Sequence, residues 1–187
     1  HHLLRRQRQM CIRDSNLSID VGEGEIYGLL GSNGAGKSTT INILLGFLKP
    51  DSGISTINDI DTTINYKESR KYIGYISENV SLYPYLSGVE NLDYFSKLNG
   101  KIHSQEEIKK FLNKCGLDNQ AHQKRVETYS KGMRQKVGIA IALAKQAKVY
   151  LMDEPASGLD PLASNELSLL LKKLSSEGSS ILMASHD

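Results

Sequence analysis

The sequence predicts an α/β fold, a parallel sheet carrying an inserted all-helical subdomain, and three observations lead there. The glycine-rich run "GSNGAGKS" stands between a strand and a helix near the start of the 187-residue chain. Strand–helix alternation recurs near its end, the pattern that makes parallel sheets. Between them, Ser87 to Lys145 shows helical periodicity and almost no strand signal.

In chain order, "NLSIDV" alternates as a strand, and "EGEIYGLL" is a second apolar run leading into glycines. Ser38 to Leu48 is predicted as a helix, closed by the turn "KPDSG". "ISTIND" is a short strand ending in a turn at Asn58 and Asp59; Tyr66 to Lys71 is helical, and "YIGYI" is a buried strand. In the helical block, Ser104 as N-cap, Glu107 three residues on and Gly116 as stop delimit one helix. "KVYLMDEP" returns to a buried strand, Pro161 to Ser175 is amphipathic helix, and "SSILMAS" is a last strand.

The net charge of +2 hides a break in composition. Residues 1–15 hold four arginines and one aspartate, +3, which leaves −1 for residues 16–187 with three arginines against sixteen lysines. The first stretch looks like translated sequencing-adaptor read-through and is set aside as a non-native tail. No apolar run reaches the ~18 residues of a membrane span. Two cysteines, Cys11 and Cys115, are too few for a disulfide framework and lack metal-ligand spacing, which favours a reducing, cytosolic setting.

"GSNGAGKS" matches G-x-x-x-x-G-K-[ST] at every fixed position. Glycines let the backbone curl so that successive N–H groups face phosphate oxygens. Lys37 adds a point charge for β- and γ-phosphates, and Ser38 offers a hydroxyl to Mg²⁺. In "VYLMDEP", Asp153 ends a buried strand, where a carboxylate can hold Mg²⁺, and Glu154 can orient or deprotonate an attacking water. His186 closes the last strand; a role as donor to a γ-phosphate requires that strand to lie beside the one bearing Asp153. "YSKGMRQK" places Ser130 at the start of a buried helix, a second place for an anion.

"GSNGAGKST", "YSKGMRQK", "YLMDEPASGLD" and "SHD", in this order and spacing, resemble the nucleotide-binding subunit of ATP-binding cassette (ABC) transporters from about Asn16 to the end. The resemblance implies a P-loop NTPase core, the ABC ATPase fold, over 16–86 and 147–187, with a helical signature subdomain over 87–146. It implies that Gly31, Ser32, Asn33, Gly34, Ala35, Gly36, Lys37, Ser38 and Thr39 bind ATP, and that Ser38, Asp153 and Glu78 serve Mg²⁺. Glu154 and His186 become the catalytic pair. Ser130, Lys131, Gly132 and Met133 stand at the signature motif, usually L-S-G-G-Q, and Ser157 to Asp160 form a loop linking two sites. In this family the signature serine contacts the γ-phosphate held by a second, head-to-tail subunit. A homodimer, a membrane permease and a cytoplasmic position on the inner face of the membrane follow as expectations, with no nucleic-acid partner.

Three departures stand out. Glu78 replaces the usual glutamine, Ala156 a threonine or serine, and the adenine-stacking aromatic residue should lie upstream of Asn16. The sequence also stops one residue after His186, so a fragment cut at both ends is expected. With "SENVSLYPYLSGVENL", the signature variant resembles prokaryotic exporters of drugs, lipids, polysaccharides or peptides. The same cassette could instead serve translation or DNA repair; the joined second cassette or long coiled coils of those proteins are not visible.

Overall fold

A computed structural model describes residues 6–8 and 16–186. Its centre is a four-stranded parallel sheet of β3 (Ile26–Leu30), β7 (Ile73–Ile76), β8 (Val149–Asp153) and β9 (Ser180–Ser185), in the order β3-β9-β8-β7. A parallel sheet covered on both faces needs apolar residues at consecutive positions. β8 meets that need: Val149 to Met152 are all buried. Their alternation divides the core. Val149 and Leu151 pack with Ile41, Leu44 and Leu182 on one face, while Tyr150 and Met152 join Ile139, Leu171 and Ile181 on the other.

The first face is covered by α1 (Lys37–Leu44), the second by α5 (Lys131–Ala144) and α6 (Pro161–Ser176). α5 approaches β7 at a glycine. A Cβ on Gly74 would lie 2.5 Å from that of Ala142, so the strand and helix touch where neither carries bulk. The helical block adds α3 (Gly88–Leu98) and α4 (Gln105–Lys114). Both begin with complete capping boxes, Ser87 with Glu90 and Ser104 with Glu107, the second as read from sequence. Among the described residues no helix is long and apolar enough to cross a membrane.

Several expectations shift. α1 stops at Leu44 instead of Leu48, because the chain turns at Gly46, where φ is +68° and a Cβ would strike the Thr62 carbonyl at 2.4 Å. "NLSIDV" is strand only at β2 (Asn16–Leu17), although Ile19 and Val21 are buried at the alternating positions. "ISTIND" divides into β4 (Gly53–Ile54) and β5 (Thr56–Ile57); β5 turns back through Asn58 and Asp59, both at positive φ, into β6 (Ile60–Asp61). That two-residue turn fits the hairpin geometry such residues favour. Of the stretch set aside as a tail, Arg6–Arg8 forms β1, antiparallel to β2 and β4. The remainder of 1–15 lies outside the described residues.

Candidate nucleotide site at the carboxyl edge of the sheet

The carboxyl ends of β3, β8 and β9 bring the sequence-derived residues to one edge. β3 delivers the loop Gly31–Gly36, which turns through Gly34 (φ +82°) and Gly36 (φ +90°) into α1. Such values are strained for any residue with a Cβ, so the tight loop depends on these two glycines. Ser32, Asn33, Ala35 and Thr39 lie exposed around it. The Lys37 side chain is buried, folds back to the carbonyl oxygens of Gly31 and Ser32, and lies 3.7 Å from Glu154 Oε1.

The two residues expected to share a divalent cation meet. Ser38 Oγ donates to Asp153 Oδ2 at 3.0 Å across 115 residues of chain. Burial and the Asp153 charge both hold the Tyr75 hydroxyl above its ordinary pKa, so Tyr75 stays neutral beside that carboxylate.

Glu154 sits between two partners. One carboxylate oxygen faces Lys37; the other lies 2.7 Å from His186 Nδ1. β9 pairs directly with β8, Asp153 opposite Ala184, so the neighbour relation that a γ-phosphate role for His186 demands is met. Glu154 also has φ +48°, uncommon for a residue with a Cβ. Its backbone N–H is held by the Ala184 carbonyl at 2.9 Å, so the turn that aims the carboxylate is fixed by β9.

Glu78 is placed elsewhere. Its Oε1 accepts from Ser157 Oγ at 2.9 Å and lies 3.6 Å from Lys131 Nζ; these, and not Ser38 or Asp153, are its side-chain partners. Ser130 caps α5, its Oγ accepting from the Met133 N–H at 3.2 Å. Gly132 is buried where a Cβ would meet that of Ala163 at 3.2 Å, and the Met133 side chain packs on the core. Asp160 caps α6 by accepting from the Ala163 N–H at 2.9 Å. One contact was missed from sequence: buried Gln135, on α5, donates to the Glu78 carbonyl at 3.1 Å and ties the helical block to the core. A lone amide at the entry of the apolar run "VGIAIALA" was the available signal.

The sequence matches the ABC transporter family over residues 15–157. The chain belongs to the ABC transporter family. It is 42% identical over 171 residues to the uncharacterized ABC transporter ATP-binding protein YdbJ of Bacillus subtilis, covering 91% of this chain and 55% of that protein. It is 41% identical over 172 residues to the bacitracin transport ATP-binding protein BcrA of Bacillus licheniformis, covering 91% and 56%. The chain thus spans about half the length of these curated relatives. The dimeric ATP-binding cassette MJ0796, solved in a post-hydrolysis state with ADP and Pi, superposes with a TM-score of 0.79 at 26% identity, covering all of this chain and 86% of that one. The ABC assignment fits the P-loop NTPase architecture, with its parallel sheet and helical insert.

Proposed function

We propose that this chain is the ATP-binding and ATP-hydrolysing part of an ABC transporter, acting as an exporter at the inner face of the membrane. The observation that carries the reading is the Ser38–Asp153 contact beside a Glu154 that bridges Lys37 and His186. A hydroxyl and a carboxylate 3.0 Å apart are the hard oxygen donors Mg²⁺ takes, so the residues fit that ion. When bound, Mg²⁺ would neutralise charge on the β- and γ-phosphates. The N–H groups of Ser32 to Thr39, apart from that of Ala35, which donates to the Ser32 carbonyl at 3.1 Å, and the Lys37 ammonium hold the phosphate oxygens. Glu154 takes a proton from the water that attacks the γ-phosphorus, the bond to the β–γ bridging oxygen breaks, and His186 donates to a γ-phosphate oxygen. ATP and water become ADP and phosphate. Phosphate release with ATP should require added Mg²⁺ and stop with a chelator; release unaffected by the chelator overturns the metal assignment.

Ser130 to Met133 serve a second copy of the chain. The N-terminus of the 14-residue α5 offers N–H groups to an anion, and the Ser130 hydroxyl is at its mouth. The dimeric state of MJ0796 supports this arrangement. Likeness to a bacitracin transport ATP-binding protein supports a role in transport; export through a separate permease is the reading that the signature variant adds.

Glu78 has two claims on it. Lys131 at 3.6 Å and the Ser157 hydroxyl at 2.9 Å both engage its Oε1, so Lys131 leaving for the partner's phosphates and Ser157 releasing its hydrogen bond would together let Glu78 turn to the ion. Lys131→Ala should then lower the Mg²⁺ concentration giving half-maximal turnover, and Glu78→Gln should remove that difference. An unchanged Mg²⁺ dependence in Lys131→Ala would show that the pair does not hold Glu78 back.

A further inference from the structure

At the amino edge of the sheet, opposite the phosphate loop, lies a cavity of about 610 Å³. It is bordered by the segment before β7, the end of α3 and the turn between α5 and β8. Lys148 precedes Val149, and five residue steps along the strand lead from it to Asp153, about 16 Å. The nucleotide-type site and this cavity are distinct.

Six of the lining residues are cations, Lys67, Arg70, Lys71, Lys101, Lys145 and Lys148, and none is acidic. Residues 16–187 carry a net charge of −1, so this concentration runs against the chain's average. Structural duties account for part of it. Lys145 Nζ donates to the carbonyls of Arg70 (2.6 Å) and Ile73 (2.7 Å), fixing the end of α5 to β7. Arg70 donates to the Leu45 carbonyl and lies over the rings of Phe47 and Tyr66. Lys71 pairs with Glu68 at 2.6 Å. The C-termini of α3 and α5 offset about one further positive charge. Lys67, Lys101 and Lys148 have no carboxylate partner among the described residues, and Lys101 is held by the Gln146 side-chain oxygen at 2.9 Å. Gln146 and Asn99 line the same wall, the Asn99 amide nitrogen donating to the Phe95 carbonyl at 2.8 Å.

We propose that this basic cavity binds a small multiply charged anion bearing phosphate groups, at a site separate from ATP. Its volume falls in the range of ligand pockets, about 300–1,000 Å³. Burial lowers the Lys145 pKa, and an anion in the cavity would favour its charged form.

The probe is inorganic tripolyphosphate, titrated calorimetrically into the ADP-saturated chain and, separately, into the Lys37→Ala chain. The second arm reports on the cavity even if the phosphate loop proves not to bind nucleotide. Binding is expected in both. Lys101→Glu with Lys148→Glu should weaken it about tenfold or more, while Lys109→Glu with Lys110→Glu, an equal charge change on exposed α4 positions, should weaken it less than about twofold. Flotation with phosphatidylglycerol against phosphatidylcholine vesicles identifies the source. Vesicle binding that depends on Lys101 and Lys148, without tripolyphosphate binding, places the phosphate on a lipid headgroup. Equal loss in both double variants means diffuse charge attraction and overturns the site, as does binding of neither probe by a folded chain.

Discussion

Glu154→Gln is expected to keep ATP binding and lose hydrolysis, by about 10²–10⁴-fold, the usual contribution of a general base. The amide keeps nearly the same shape and can still meet Lys37 and His186, so the local turn should survive. It cannot take a proton from water. Single-turnover phosphate release measured beside ATP affinity separates the two effects. Near-normal turnover in Glu154→Gln would remove Glu154 from the chemistry and leave its contacts with Lys37 and His186 as a structural pair.

Lys37→Ala should act earlier, on binding. The ammonium is buried and holds the loop through the Gly31 and Ser32 carbonyls as well as facing Glu154. A hydrogen bond to a charged group contributes about 1.5–3 kcal/mol, so ATP affinity should fall about 10–100-fold and turnover with it. Circular dichroism should be unchanged, because the alanine leaves Gly34 and Gly36 to shape the loop. Unaltered affinity in a folded Lys37→Ala chain would contradict the phosphate-loop reading.

What could be read from the sequence was whatever is fixed locally. The loop Gly31–Ser38 declares its geometry through glycine spacing, and the buried run before Asp153 declares a central strand. The capping box at Ser104 and Glu107 closes within four residues. Contacts made by folding were out of reach. No local rule brings Ser38 to Asp153 across 115 residues; that required β9 to insert between β3 and β8. Glu78 shows the converse. Its place in the motif order suggested Mg²⁺, whereas its side chain meets Lys131 and Ser157, which only the docking of the helical block on the core could reveal. α1 ends four residues before Leu48 because Gly46 stops it through a close approach to Thr62, a neighbour sixteen residues later.

The central claim is that ATP is held between two copies of this chain, the phosphate loop of one facing Ser130 of the other. Glu154→Gln should trap that state, since ATP favours the closed dimer and hydrolysis no longer reopens it. Adding Ser130→Arg sets a bulky cation at the start of α5, against the partner's nucleotide. Size-exclusion chromatography with ATP and Mg²⁺ is the direct measurement, with ATP binding to the monomer followed alongside. The account predicts a dimer for Glu154→Gln, a monomer for the double variant, and ATP binding retained in both. A dimer that persists in the double variant, or loss of monomer binding in a still-folded chain, would contradict it.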